Sequence, residues 1–270
     1  MIIRKSLSEI ETMARAGEVV ADTIALLGEH VRPGVTTAEL DRLADEFIRS
    51  HGGTSSFKGY HGYPAAICTS PNDMVVHGIP GPTTLAEGDI LSVDVGVILD
   101  GFVADSAYTF PVGEITPEAE RLLDGCRAAL AAGIEQCRAG NRLSDISHAI
   151  QTVTEEAGFA VVRSLVGHGI GRAMHEDPQI PNYGAPGRGP ELAAGMTFAI
   201  EPMINAGSPA IHLHADGWSI STEEGSLSAH FEHTVAVTEG EPRILTAARD
   251  QTDERDEPAR PLMRRRQVGA

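Results

Sequence analysis

The chain has few basic residues, few cysteines and no long apolar run, and each shortage excludes a class of protein. Its 270 residues include 21 Lys and Arg against 38 Asp and Glu, a net charge of −17, which disfavours binding to nucleic acid phosphates. The three cysteines form neither a Cys-x-x-Cys pair nor a disulfide framework. The N-terminal segment becomes charged where a signal peptide stays apolar, and no stretch is long enough to span a bilayer. We therefore expect a soluble cytoplasmic protein that binds neither DNA nor a membrane.

Apolar residues are numerous enough for a core and are spaced as in helices and strands. They make up 41% of the chain, which suffices for one large domain or two small ones. Apolar spacing, caps and breakers predict helices over 6–31, 36–53, 116–140 and 143–159. Strands are predicted over 65–70 and 74–79, followed by two strands joined at an Asp-Gly turn, residues 100–101. Candidate helix caps are Ser6 or Ser8 for the first helix and Thr36 or Thr37 for the second.

The order of two helices followed by strands occurs twice, and the sequences of the two parts are also similar to each other. RPGVTTAELDRLADEF resembles RAGNRLSDISHAIQTV, and LAEGDILSVDVG resembles LAAGMTFAIEPM, which aligns Asp94 with Glu201. ADSAYTFPVGE aligns in the same way with FEHTVAVTEGE, which matches Asp105 to Glu232. Short apolar patterns also align by chance. If this similarity reflects two related halves, these four carboxylates meet at the seam between them.

Five side chains are candidate metal ligands. Asp94 and Asp105 lie in adjacent predicted strands whose apolar neighbours predict burial, and neither strand contains Lys or Arg. A buried carboxylate is costly unless a cation, a charge partner or several donors offset its desolvation. His168, Glu201 and Glu232 occur in similar strand-like or glycine-bounded settings. Taken singly, each could be a solvated acid or a structural histidine; four carboxylates with one imidazole suit Mn, Co, Fe or Zn.

The motifs that carry these residues resemble those of a known family. VDVGVILDGFVADSA, GHGIGRAMHEDP, FAIEPM and FEHTVAV, with CTSPNDMVVHGIP ahead of them, look like the motif set of bacterial-type (type I) methionine aminopeptidases. The match runs from about residue 5 to about residue 246. It implies an α+β pita-bread fold, with two pseudo-symmetric helix-helix-strand halves around a central cleft. We therefore expect one catalytic domain over 1–246, with halves of about 1–113 and 114–246, and a disordered tail over 247–270.

The resemblance also implies a role for each motif residue. Asp105 and Glu232 should bridge two divalent ions, Asp94 should bind one of them through both oxygens, and His168 with Glu201 should complete the other. The implied catalytic residues are His77 and His175, which assist at the scissile peptide, and Glu201, which could accept a proton from water. The substrate-binding residues implied alongside these two histidines are Phe57, Tyr60, Tyr63, Cys68, Met174 and Trp218.

Two pocket positions depart from the family pattern. Phe57 stands where the family often has Cys or another small residue, and Met174 stands where an aromatic residue is common. The shape of the pocket is therefore less well predicted than the set of metal ligands.

The activity implied is metal-dependent removal of N-terminal methionine before a small second residue. Its expected cofactors are two ions of Co, Mn, Fe or Zn, and its expected substrates are peptides and nascent chains near the ribosome, bound by a monomer. One alternative is a proline-specific aminopeptidase or dipeptidase of the same fold, although such relatives usually carry an additional N-terminal domain that we do not expect here. A second alternative is a non-catalytic interaction protein, a class that tends to lose ligands, whereas all five are present.

Several other patterns are not expected to carry function. GHGIG at 167–171 lacks the glycine spacing of a dinucleotide-binding turn, and the H-E-x-x-H and G-x-S-x-G motifs are absent. His230 and His233, which flank Glu232, are not required as ligands, and His212 and His214 are expected on a solvated strand face. The arginines at 264–266 are expected to be solvated and not to contact RNA.

Overall fold

The computed structural model describes residues 1–247, which contain four α-helices and fifteen strands. The predicted tail lies outside the described residues from position 248 onward. The helices are α1 (Leu7–His30), α2 (Thr37–Ser50), α3 (Pro117–Glu135) and α4 (Leu143–Glu156). The strands of the first half are β1 (Thr54–Ser55), β2 (Cys68–Pro71), β3 (Met74–Val76), β4 (Ile90–Leu99) and β5 (Phe102–Pro111). Those that follow α4 are β6 (Ala160–Val161), β7 (Val166–Gly169), β8 (Glu176–Pro181), β9 (Thr197–Ile200), β10 (Met203–Asn205), β11 (Ile211–Leu213), β12 (Ile220–Thr222), β13 (Ser228–His230), β14 (His233–Ala236) and β15 (Arg243–Ile244).

The helices begin where their capping residues predicted. Ser6 caps α1, because its hydroxyl accepts from the Glu9 amide at 3.4 Å while the Glu9 carboxylate accepts from the Ser6 amide at 2.9 Å. Thr36 and Glu39 form the same reciprocal pair at the start of α2. The helix predictions are therefore confirmed, and Ser6 and Thr36 are the caps that the chain uses.

The hairpin of β4 and β5 forms the centre of the first half. Asp100 and Gly101 take positive φ angles of 50° and 78° at its turn, as a two-residue hairpin loop requires. The resulting register pairs Asp94 with Ala107 and Gly96 with Asp105. The two carboxylates thus project from adjacent strands, as the sequence predicted.

The second half is built on a five-stranded sheet in the order β15, β14, β9, β7, β8. Within it, His168 pairs with Ala199, and Ile200 pairs with His233. Glu201 and Glu232 adjoin this last pair at the ends of β9 and β14. His168 therefore lies on β7, and Glu201 and Glu232 adjoin the neighbouring strands β9 and β14.

Backbone contacts repeat between the two halves. The Gly34 amide donates to the Leu85 carbonyl at 2.8 Å, and the Gly140 amide donates to the Leu192 carbonyl at 2.9 Å. Both glycines have positive φ, 90° and 93°, which the absence of a Cβ permits. Each contact ties the segment before a second helix to the segment before a strand that leads to candidate ligands. The repeat inferred from sequence is thus present in the backbone, whereas the domain boundaries remain a prediction.

Each half has its own apolar core behind the ligand-bearing strands. Leu27, Leu40 and Leu91 are at most 1% exposed in the first core. Leu122, Ile146 and Phe198 are fully buried in the second. Burial of such side chains stabilises by about 1.5–3 kcal/mol each, so each core supports the strands that carry the candidate ligands. Among residues 1–247, no helix combines the length and apolar content needed to cross a membrane.

Candidate metal centre

The two halves meet where β5 lies against β14. The Asp105 amide donates to the Thr234 hydroxyl at 2.9 Å, and that hydroxyl donates to the Asp105 carbonyl at 2.8 Å. The Glu232 amide donates to the Ala107 carbonyl at 3.0 Å. These bonds between the halves fix Asp105 and Glu232 side by side, although they are far apart in sequence.

All the residues predicted as metal ligands, catalytic residues or substrate-binding residues line one small pocket. Its volume is about 110 Å³, and it is enclosed by both halves. Four of the five predicted ligands are buried, with Asp105 and Glu232 each 2% exposed, and the fifth, Glu201, has a side chain that is 14% exposed. The complete lining is Phe57, Tyr60, Tyr63, Cys68, His77, Asp94, Asp105, His168, Met174, His175, Glu201, Trp218 and Glu232.

The chemistry of this donor set fits divalent cations. Donor atoms of Asp105, His168 and Glu232 all lie within 4.8 Å of one another. One oxygen each of Asp94, Asp105 and Glu232 is buried without a hydrogen-bond partner in the described part of the chain. Unpaired buried carboxylate oxygens are costly, and oxygen-rich sites with an imidazole suit divalent first-row metals. The residues present therefore fit such ions.

Crowding of the acids strongly perturbs their ionisation. Burial raises the pKa of Asp94 to about 7, and burial together with the Glu232 and Asp94 charges raises the pKa of Asp105 well above its usual range. Burial and neighbouring carboxylates raise the pKa values of Glu201 and Glu232 in the same way. Cations would reverse this effect, because their charge favours the ionised form. Binding of metal to this cluster would therefore release protons from its carboxyl groups.

His168 presents one ring nitrogen to the cluster. Its Nδ1 lies 2.9 Å from the Gly169 carbonyl, which makes Nδ1 the protonated nitrogen of the neutral ring. Its Nε2 lies 3.5 Å from Glu201 Oε1. Burial, with a smaller contribution from His175, lowers the pKa of His168 to about 4. The ring is therefore neutral with a free lone pair on Nε2, the form that binds metals.

Two further histidines face the same cavity. His77 has a positive φ of 59°, an uncommon conformation for a non-glycine residue. Burial, and then His175, lowers its pKa to about 4. The Nδ1 of His175 lies 2.7 Å from the Tyr60 hydroxyl, and its ring centroid is 4.3 Å from that of His168. Both histidines are thus held beside the carboxylates.

An apolar wall forms the other side of the pocket. Tyr63 packs edge-on against Trp218 with ring centroids 5.1 Å apart, and against Phe57 at 6.4 Å. The Tyr63 hydroxyl donates to the Gly78 carbonyl at 2.9 Å, which ties this wall to the residue after His77. A narrow apolar space therefore ends at the polar cluster.

His230 is a residue of this site that the sequence analysis left without a role. It is 2% exposed, and its Nε2 lies 3.8 Å from Glu201 Oε2 and 3.9 Å from Glu232 Oε2. His233 faces the opposite side, where its Nδ1 lies 2.9 Å from the Thr246 hydroxyl. Strand alternation could have distinguished the two histidines, since in a strand position 230 lies on the same face as the candidate ligand Glu232 and position 233 on the opposite face.

Comparison with known proteins identifies the family. The sequence profile described as metallopeptidase family M24 matches residues 11–239, most of the chain. The chain belongs to metallopeptidase family M24. This M24 chain is 54% identical over 246 residues to the methionine aminopeptidase of Clostridium perfringens, an alignment that covers 91% of the chain and 99% of the relative.

Solved structures agree with this assignment. The methionine aminopeptidase of Rickettsia prowazekii has a TM-score of 0.90 at 43% identity, with 92% of the M24 chain and 100% of the other chain covered. The prolidase of Pyrococcus horikoshii has a TM-score of 0.73 at 18% identity, covering 92% and 64%, and shows the fold alone. The predicted α+β pita-bread fold and the family resemblance are confirmed. The M24 chain is thus a member of a metal-dependent hydrolase family, and the ligand and pocket roles of single residues remain predictions.

Proposed function

We propose that this chain is a metal-dependent aminopeptidase that removes the N-terminal methionine of peptides and nascent proteins, preferentially before a small second residue. The observation that carries the proposal is the convergence of three buried carboxylates, the Glu201 carboxylate and His168 at the end of one narrow apolar pocket. Relatives with 54% and 50% identity that are named methionine aminopeptidases support the same activity.

The proposed cofactors are two divalent ions of Co, Mn, Fe or Zn. Asp105 and Glu232 would bridge them, Asp94 would hold one, and His168 with Glu201 would hold the other. Their unpaired oxygens and the neutral His168 ring support this assignment. Bound divalent ions supply Lewis acidity and lower the pKa of water towards about 7.

Three residues of the chain are assigned to proton transfer and hydrogen bonding. Glu201 is assigned to accept a proton from the attacking water, because its carboxylate lines the pocket with Oε1 3.5 Å from the Nε2 of His168. His77 and His175 face the position of the scissile peptide, where a ring N–H donates to the carbonyl oxygen or to the departing amine. Tyr60, 2.7 Å from His175 Nδ1, orients that ring.

Specificity follows from the shape and charge of the pocket. The acidic cluster favours the substrate's free amino group and therefore restricts cleavage to the first residue. Phe57, Tyr63, Met174 and Trp218 surround an apolar space suited to a methionine side chain, whose sulfur interacts favourably with aromatic rings. A pocket of about 110 Å³ has room for one such side chain.

The activity can be tested by comparing two tripeptides before and after chelation. We expect the full chain to cleave Met-Ala-Ser, to lose this activity on chelation and to regain it with Mn²⁺ or Co²⁺. Preferential cleavage of Ala-Pro-Ala would instead support the proline-specific alternative. The likeness to the Pyrococcus horikoshii prolidase, at 18% identity, is evidence of a shared fold only. Absence of cleavage of any N-terminal methionine peptide by metal-loaded protein would favour a non-catalytic interaction protein.

The cellular setting is part of the same proposal. We place the protein in the cytoplasm, as a monomer that acts on nascent chains near the ribosome, where newly made N-termini emerge. The strongly acidic composition, with a net charge of −17, argues against DNA as a partner.

A further inference from the structure

His230 is a buried polar side chain without a hydrogen-bond partner for its Nε2 within residues 1–247. The residue is 2% exposed, and Glu201 and Glu232 are the acidic groups close to this nitrogen, at 3.8 Å and 3.9 Å. A buried donor left unpaired destabilises a fold. Such a group needs an explanation, and the proposed metal centre provides one.

The backbone of His230 is fixed on both sides. Its amide donates to the Thr109 hydroxyl at 3.0 Å, and that hydroxyl donates to the His230 carbonyl at 2.8 Å. Its strand pairs with β10 so that His230 lies opposite Met203. The Cys126 thiol donates to the carbonyl of the preceding Ala229 at 3.5 Å. With its backbone bonded in this way, the ring is directed at the carboxylates.

We propose that His230 is a positioning residue of the metal centre, whose Nε2–H donates to the carboxylates of Glu201 and Glu232 and thereby orients these two acids for cation binding. The inference rests on the proposed function. Carboxylates that bind metals are commonly hydrogen-bonded by a surrounding donor. A charge-assisted bond of this type is about 2.7–2.9 Å long, so ring and carboxylate must approach by roughly 1 Å when cations draw the acids together.

A pair of variants separates this role from a purely structural one. His230→Gln keeps a side-chain N–H donor, whereas His230→Leu fills similar volume without one. We expect calorimetric titration of the chelated full chain with Mn²⁺ to show affinity lowered 10–100-fold in the Leu variant and retained within about threefold in the Gln variant. Unchanged affinity in the Leu variant, or an equal loss in both variants, would overturn the proposal.

The melting temperature of the metal-free protein provides a second readout. Because the donor is unpaired without metal, His230→Leu should leave this temperature unchanged or raise it, since replacing an unpaired buried polar group with an apolar one relieves its cost. His233→Leu is the matched contrast: it removes hydrogen bonds to Thr246 and Ser106 and should lower the melting temperature. A large fall for His230→Leu would mean that the ring serves the fold instead.

A measurement on the wild type keeps the proposal testable if the Leu variant does not fold. With ¹⁵N-labelled histidine and the diamagnetic ion Zn²⁺, we expect the NMR spectrum to show a protonated, slowly exchanging Nε2 on His230. An unprotonated Nε2 would refute the donor role.

The variant Asp105→Asn distinguishes failure of the proposed metal centre from failure of the His230 inference. If Asp105→Asn retains full metal content, the proposed centre is wrong. If it loses metal while His230→Leu binds metal normally, only the His230 inference fails.

Discussion

The side-chain ammonium of Lys5 lies 2.6 Å from the carboxylate of Glu176, in an ion pair whose side chains are only 4% and 8% exposed. The other oxygen of Glu176 accepts from the amides of Arg172 and Ala173 at 2.8 and 3.3 Å. The pair packs against Gly171, where a Cβ would lie 2.4 Å from Lys5 Cε. It thereby fixes the loop that carries Met174 and His175.

We expect Lys5→Met to destabilise the fold and to impair turnover without changing metal content. The substitution keeps the length of the side chain but leaves the Glu176 charge buried without its partner, which costs about 3–5 kcal/mol. Denaturant unfolding measures this loss, and kcat/KM with metal analysis measures the displacement of His175. The control is Arg138→Met, because the Arg138–Glu241 pair is exposed and contributes about 0–1 kcal/mol. Equal effects of the two variants would contradict the positioning role of Lys5.

Asp105→Asn should lose metal and activity together. The amide is nearly the same size as the carboxylate but cannot supply the charge that a bridging ligand needs, so metal affinity should fall at least about tenfold. Metal content after gel filtration and cleavage of Met-Ala-Ser are the two measurements. Asp124→Asn serves as the control, since that carboxylate lies on α3 with its side chain 72% exposed. Normal metal content in Asp105→Asn would refute the bridging assignment.

Local patterns in the sequence explain which parts of this site could be foreseen. The Asp-Gly turn at 100–101 and the apolar alternation around Asp94 and Asp105 are short-range signals, and they predicted both the hairpin and the burial of its acids. The repeat aligned Asp94 with Glu201, which gave a reason for distant acids to converge. These features can be predicted from the sequence because they depend on residues that are neighbours along the chain or on an internal repeat.

Contacts without a local pattern could not be foreseen. Lys5 and Glu176 are 171 positions apart, and nothing near either residue indicates a buried partner. Alternation separates His230 from His233, but the seam between the halves decides which of the two faces meets the carboxylates. Such features follow from tertiary packing alone.

His175→Ala should keep metal and lose turnover. His175 lies outside the proposed ligand set, and its Nδ1 contacts the Tyr60 hydroxyl, so its removal leaves the five donors in place. Loss of a hydrogen-bonding or proton-transferring side chain lowers kcat by about 10²-fold or more. Tyr60→Phe, which retains the aromatic wall and removes only the 2.7 Å contact, should produce a smaller fall. A His175→Ala protein that lost its metal would place this histidine among the ligands instead.

The stability of the metal-free protein should fall as pH rises above about 6.5. Burial lowers the pKa values of His77, His168 and His233 to about 4 and that of His230 to about 3, so near and below the ordinary histidine pKa of 6.5 their protonation favours the unfolded chain and opposes the effect of the acids. From about one pH unit above 6.5, these histidines are mostly neutral in both states, and the acids set the slope. Burial raises the pKa of Asp94 to about 7, and burial with neighbouring carboxylates raises the pKa of Asp105 well above its usual range, so the folded protein binds more protons than the unfolded chain. Stability then declines with pH by about 1.4 kcal/mol per unit for each excess proton.

Urea unfolding of chelated protein between about pH 6.5 and 8 measures this slope, and Asp94→Asn should flatten it near neutral pH. Bound metal should reverse this fall in stability with pH, because metal binding releases those protons. A chelated protein whose stability stayed level or rose over this range would contradict the crowding of carboxylates at the seam.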